Sequence, residues 1–190
     1  MCVKYYIDDD TLERAAREIE GTDMKAVREH ASKRDIGIGG LAPVIKDRTA
    51  VLARWGFPGF DKKLIVNARA ESVETRPTFA AGFEGGRIVL PAAGFYEWDR
   101  KKEKVDFYLA ERPVIYLAGI LRLFEGEERC VVITREANAS MLPVHDRMPL
   151  IVGKDAVRDW LTDKDAAREI LKDELPQLSA RREYEQMSLF

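Results

Sequence analysis

The chain has 190 residues, 46% hydrophobic and 34% charged, with a formal net charge of −2. That length suits one domain with a real core, and the near-neutral charge excludes a globally basic nucleic-acid binder, although 31 Lys and Arg leave room for a local basic groove. No apolar run approaches the roughly 18 residues a membrane helix needs, and the two cysteines, Cys2 and Cys130, lie in no disulfide or zinc pattern and fit a reducing cytoplasm.

The first feature in chain order is Met1-Cys2. A small residue at position 2 permits removal of Met1, after which Cys2 presents an α-amine and a thiol on adjacent carbons, with reference pKa values of about 8 and about 8.5. A neighbouring base would activate either group. Such a pair suits aldehydes: the amine condenses to a Schiff base and the thiol then closes a five-membered thiazolidine. Taken alone, Cys2 reads first as a small residue near a terminus, and the reactive reading needs support from the rest of the chain.

Residues 9–20 predict a helix, with Leu12, Ala15, Ala16 and Ile19 on one face and Gly21 as its stop. Thr22 caps a second short helix reaching about Ser32, on which His30 is expected to be solvated. The glycine-rich Ile36–Pro43 reads as loop and Thr49–Trp55 as strand. Trp55-Gly56-Phe57-Pro58-Gly59-Phe60 is an aromatic loop, either folded onto the core or offering a platform for exposed bases. Leu64-Ile65-Val66 is a short strand ending in the polar cluster Asn67-Ala68-Arg69-Ala70-Glu71-Ser72, at a strand end where sites tend to sit.

Arg87–Pro91 is a strand running into Gly94-Phe95-Tyr96-Glu97-Trp98. A carboxylate among three aromatics is suited to acid–base work; the alternative is a strand-edge Glu facing water. Strands follow at Asp106–Ala110, Val114–Phe124 and Arg129–Thr134, with Cys130 a buried strand residue. Arg135–Met141 is a short helix or turn. His145-Asp146-Arg147 then packs three polar groups into a turn ended by Pro149, ahead of a strand at Leu150–Val152. Helices are expected at Asp155–Leu161 and Ala166–Leu175. The fold class is α+β: a single domain, residues 1–176, with a mixed, strongly twisted, barrel-like β core flanked by helices, followed by a tail over 177–190.

Four segments in this order, Met1-Cys2, Asn67–Ser72, Gly94–Trp98 and His145-Asp146-Arg147-Met148-Pro149, resemble the SOS response-associated peptidase family, whose members crosslink to abasic sites in DNA. The resemblance extends through Pro43-Val44-Ile45, Arg54-Trp55-Gly56 and Ile133-Thr134, and so spans roughly residues 1–161. It implies Cys2 as the nucleophile forming a thiazolidine with the ring-opened aldehyde in single-stranded DNA. Asn67 would hold the N-terminal cysteine or the sugar, Glu97 would move protons for the Schiff-base chemistry, and His145 would protonate the sugar ring oxygen. Arg69 and Arg147 would bind flanking phosphates, Trp55 and Phe57 would lie against bases, and Lys4, Pro43 and Trp98 would complete the DNA-binding set. No metal or cofactor is implied.

Two departures stand out. The family usually continues Cys-Gly-Arg, where this chain has Cys2-Val3-Lys4; lysine loses the bidentate fork that arginine offers phosphate. Val3 restricts the backbone beside the nucleophile. The resemblance further implies autoproteolytic removal of Met1 by the same Cys2. Gln186-Met187-Ser188-Leu189-Phe190 resembles the bacterial sliding-clamp-binding pentapeptide, with Gln186, Leu189 and Phe190 as its anchors. The expected function is therefore a cytoplasmic, nucleoid-associated covalent shield of abasic sites. The alternatives are a thiol peptidase acting on proteins and a DNA- or clamp-binding module without chemistry.

Overall fold

The computed structural model describes residues 2–30 and 34–182, apart from the side chains of Arg28, His30 and Lys62. Met1, Gln186, Leu189, Phe190 and the side chain of His30, all singled out above, lie outside the described residues. In chain order the elements are β1 (Lys4–Ile7), α1 (Thr11–Glu18), β2 (Arg34–Gly37), β3 (Leu41–Lys46), β4 (Thr49–Trp55), β5 (Phe57–Pro58), β6 (Leu64–Ile65), β7 (Asn67–Arg69) and α2 (Pro77–Gly85). There follow β8 (Arg87–Ala92), β9 (Gly94–Trp98), β10 (Lys104–Tyr108), β11 (Ile115–Phe124), β12 (Glu127–Glu136), β13 (Arg147–Pro149), β14 (Ile151–Val152), α3 (Val157–Thr162), α4 (Lys164–Ile170) and β15 (Ser179–Arg182).

The core is a closed ring of strands. β12 pairs with β4, β4 with β3, β3 with β8, β8 with β11, and β11 returns to β12. All these pairings are antiparallel except β12 with β4, so the barrel is mixed, as the α+β reading expects. Closure removes free edges. Helices α1, α2 and α3 pack on β8 from outside the ring, so every residue of this strand is buried. The interior is tight: a Cβ at Gly119 would sit 2.8 Å from Leu90 Cδ1 and 2.8 Å from the Val131 carbonyl, so β11 needs glycine there. A second, antiparallel sheet runs β15-β10-β9-β1-β2. Its β8–β9 connection is only one residue, so the strand that carries Glu97 is fed directly out of the barrel wall.

Three segments differ from the sequence reading. The stretch 36–43 is mostly strand: β2 and β3 flank a turn at 38–40, and backbone pairing with β1 and β4 overrides the local glycine content. Helix α2 was not predicted; Pro77 suits its first turn, but Gly82 in its middle and the lack of a clear apolar stripe obscure the signal. A Cβ at Gly82 would stand 3.2 Å from Arg122 Cγ and from Ile120 Cδ1, so the helix lies close on β11. Finally, the fold continues past residue 176, since β15 adds an edge strand against β10 within what was expected to be tail.

Candidate active site

Cys2 leads into β1, the strand between β2 and β9, and it is completely buried. Asn67 opens β7, which runs parallel to β12 with Asn67 opposite Val132. From there its Nδ2 donates to the Cys2 carbonyl at 2.9 Å, tying the start of the chain to the barrel sheet. Asn67 Oδ1 is buried and accepts no hydrogen bond among the described residues, so one acceptor remains beside Cys2. Glu97, on β9, is 3% exposed. Burial pushes the Cys2 thiol well above its ordinary range, and the Glu97 carboxylate pushes it further in the same direction. The structure thus brings Cys2, Asn67 and Glu97 together. It holds the thiol protonated next to a carboxylate that can receive its proton, rather than as a standing thiolate.

His145 is reached across β9. Trp98, the neighbour of Glu97, lines with His145, Arg100 and Leu142 a surface cavity of about 460 Å³. The backbone N–H of Arg147 donates to His145 Nδ1 at 2.9 Å, and Asp146 Oδ1 also lies 3.0 Å from that nitrogen. An amide N–H can only donate, so Nδ1 is the acceptor in the neutral ring and Nε2 carries the hydrogen; the ring acts as an acid only when doubly protonated. Asp146, 83% exposed, becomes the partner of Nδ1 only when the ring is doubly protonated.

The two expected phosphate arginines differ. Arg69 is exposed. Arg147 is committed: its guanidinium meets the Glu71 carboxylate at 2.7 and 2.9 Å and the Thr134 carbonyl at 2.6 Å. That bidentate contact holds the Glu71 carboxyl below its usual range. Arg147 therefore locks the His145 turn onto β12 and the turn that follows β7. Glu71 and Thr134 are its partners; Glu71 stood in the polar cluster after Asn67, but nothing in the sequence pairs it with Arg147. Lys4 pairs with Asp35 at 2.6 Å.

Three residues expected to touch DNA belong to the core instead. Trp55 is fully buried, its indole N–H donating to the Val66 carbonyl at 2.9 Å and its ring 5.6 Å from that of Tyr5. Phe57 is also fully buried, packed 5.0 Å from Phe124. Pro43 is enclosed within β3. None presents a face to a base in this fold. The aromatic that the loop does expose is Phe60, at 94%, close in sequence to Leu64 at 38%. Trp98 remains half-buried at the cavity wall. Among the described residues no cluster of His, Cys, Asp or Glu could hold a metal ion.

The family model described as SOS response associated peptidase (SRAP) matches residues 1–188. The chain is 31% identical over 134 residues to the abasic site processing protein YoaM of Bacillus subtilis, covering 63% of this chain and 59% of that protein. It is 30% identical over 124 residues to the abasic site processing protein YedK of Escherichia coli, covering 60% and 56% respectively. Against the abasic site processing protein HMCES of Xenopus tropicalis the identity is 32% over 152 residues, covering 60% of this chain and 45% of that one. The matched regions thus span little more than half the length of these relatives or less. A crystal structure of a Bacteroides thetaiotaomicron protein superposes with a TM-score of 0.80 at 22% identity, covering 95% of this chain and 91% of that one. One from Bordetella bronchiseptica gives 0.78 at 21%, covering 95% and 99%.

Proposed function

The chain belongs to the SOS response-associated peptidase family, and from that premise we propose that it captures abasic sites in single-stranded DNA as a covalent thiazolidine through Cys2. The observation that supports this most directly is the grouping at Cys2, with Asn67 on its carbonyl at 2.9 Å and the Glu97 carboxylate acting on its thiol. Once Met1 is gone, the amine sits on the same residue. His145 in its doubly protonated form gives its Nε2 proton to the ring oxygen of the abasic sugar while the anomeric hydroxyl loses a proton to Glu97; the aldehyde opens, and Glu97 returns that proton through water to His145. The Cys2 amine adds to the carbonyl and one water leaves, forming the Schiff base. The thiol then adds to the imine carbon, its proton passing by way of Glu97 to the nitrogen. Overall one water is lost and no oxidant is needed. Asn67 Oδ1 is the acceptor for the amine or a sugar hydroxyl.

The same thiol would first remove Met1, attacking the preceding carbonyl and releasing methionine at the expense of one water. A peptidase acting on other proteins is favoured less, because the side chain that most perturbs the Cys2 thiol is a carboxylate and not an imidazole. The test is a single-stranded oligonucleotide with one abasic site, run on a denaturing gel with intact-mass measurement. Wild type lacking Met1 should give a shifted band that Cys2→Ala abolishes; processed wild type giving no adduct would overturn the proposal.

Base stacking, assigned by resemblance to Trp55 and Phe57, falls in this reading to the exposed Phe60. Phe60→Ala should weaken binding of undamaged single-stranded DNA by about tenfold, in line with about 1–3 kcal/mol per stacked base, with an unchanged melting temperature. Equal anisotropy titrations for the two proteins would remove Phe60 from the interface. Recruitment to the sliding clamp through Gln186, Leu189 and Phe190 is proposed on the resemblance alone; clamp pull-down by a protein truncated at 185, at wild-type level, would sink it.

A further inference from the structure

The five-stranded sheet buries only one face. Tyr5, Ile7, Phe95, Val105 and Phe107 point into the core, whereas Lys4, Tyr6, Tyr96, Trp98, Lys104 and Tyr108 alternate with them and stay half-buried. The open face is built as a platform. Tyr6 stacks on Tyr96 with ring centres 5.0 Å apart and 25° between planes. Gly94 makes this possible: a Cβ there would lie 2.5 Å from the Tyr6 hydroxyl, so the tyrosine passes flat over the glycine. Two ammonium groups converge on the same ring, Lys104 Nζ at 4.6 Å and Lys4 Nζ at 5.7 Å from the Tyr96 centroid.

Register extends the platform across four strands, with Lys4 opposite Tyr96, Tyr96 opposite Asp106, and Asp106 opposite Arg181. Arg181 in turn covers the Tyr108 ring at 5.3 Å. Trp98 pairs with Lys104 at one end of the sheet, and beyond it the β9–β10 turn exposes Arg100, Lys101 and Lys102. Cations outnumber acids here. Asp35, Asp106, Asp99 and Glu103 each already meet a lysine or arginine, namely Lys4, Arg181 and, for the last two, Arg182. The platform also touches the candidate active site, since Trp98 and Arg100 form part of the wall of the cavity that holds His145.

We propose that this open sheet face is a second DNA-binding surface, carrying the single strand onward from the abasic nucleotide. Bases lie on the Trp98, Tyr96 and Tyr6 rings, and phosphates lie on Lys104 and the Arg100–Lys102 turn. Ring faces accept any base, so the surface reads no sequence, and its cations make it salt-sensitive. The proposal rests on the crosslinking reading for its direction, since it takes the strand to start at Cys2. It adds a footprint longer than the reactive nucleotide and its neighbours.

The test uses the full processed chain and undamaged fluorescent single-stranded oligonucleotides of about 6 and about 20 nucleotides. Lys104→Glu should weaken the long oligonucleotide by about tenfold and the short one by less than about twofold, and flatten the dependence of log affinity on log salt by about one. Tyr96→Leu, checked by thermal melting to have folded, should show the same length dependence without the change in salt slope. If Lys104→Glu binds the long oligonucleotide as wild type does, with the same salt slope, the face is not a DNA surface. Adduct formation is scored separately on an abasic oligonucleotide. Its absence strikes the crosslinking reading, while the length-dependent affinity still decides this one.

Discussion

Glu97→Gln should slow crosslinking to an abasic oligonucleotide by about a hundred- to ten-thousandfold, the usual range for loss of a positioned acid–base group. The variant separates two roles that the carboxylate could play at Cys2. As a negative charge beside a buried thiol, Glu97 raises the thiol pKa, second only to burial itself. If that were its whole effect, the neutral glutamine would let the thiol ionise more readily and the adduct would form faster. As the proton carrier between sugar, amine and thiol, its loss slows every step. A slow variant therefore identifies the carrier; a variant as fast as wild type or faster would assign Glu97 an electrostatic role alone. The pH profile of wild type follows from the same shift. Because burial and the Glu97 charge move the thiol upward, thiolate does not accumulate as pH passes the ordinary thiol value of about 8.5. The rate should rise as the amine deprotonates around pH 8 and then level off, with no second rise near 9. A continued rise through 9 would mean that the thiol is exposed during the reaction. Rates from single-turnover gels at pH 6 to 10 decide it.

How much of this was legible beforehand differs by residue. The strand Thr49–Trp55 and helix α1 were readable because local pattern and tertiary demand agree: Leu12 and Ala15 face inward, while Arg14 and Arg17 pair with acids one turn back. Glu97 was readable for a different reason, as a carboxylate set where an apolar strand should continue. Trp55 and Phe57 show the limit. An aromatic in a Gly/Pro loop has the same letters whether it wedges a base or plugs a barrel, and only the Val66 carbonyl that accepts from the indole N–H settles which. Arg147 shows another limit. Its sequence neighbours suggest a phosphate ligand, yet Glu71, 76 positions away, holds both arms of the guanidinium. Non-local pairing of this kind leaves no trace in a single sequence. The strand β15 was missed because Ser179–Arg182 is polar on its surface and gains its order from the neighbouring β10 rather than from any pattern of its own.

Arg87→Ala should cost about 3–5 kcal/mol of stability, which for a chain of this size is roughly 6–20 °C in melting temperature. Arg87 opens β8 and is buried, at 6% exposure. Its Nε donates to the Trp160 carbonyl at 2.7 Å, and its Nη1 donates to the carbonyls of Phe83 at 2.7 Å and Glu84 at 3.1 Å. Phe83 and Glu84 lie in the last turn of α2, and Trp160 lies in α3. One cation therefore satisfies carbonyls at the ends of two helices, where the helix dipoles favour positive charge. Burial lowers the Arg87 pKa, although the nearby Glu84 works against that. Alanine leaves three carbonyls without their donor in a closed space, and lysine reaches one of them at best, so Arg87→Lys should recover only part of the loss. The consequence reaches the active site through the chain. β8 passes into β9 after a single residue, so loosening the start of β8 also loosens the strand that holds Glu97. Thermal melts and hydrogen exchange on β8 and β9 should therefore shift together. A melting temperature within about 2 °C of wild type would mean that water replaces the guanidinium and that the two helices need no shared cap.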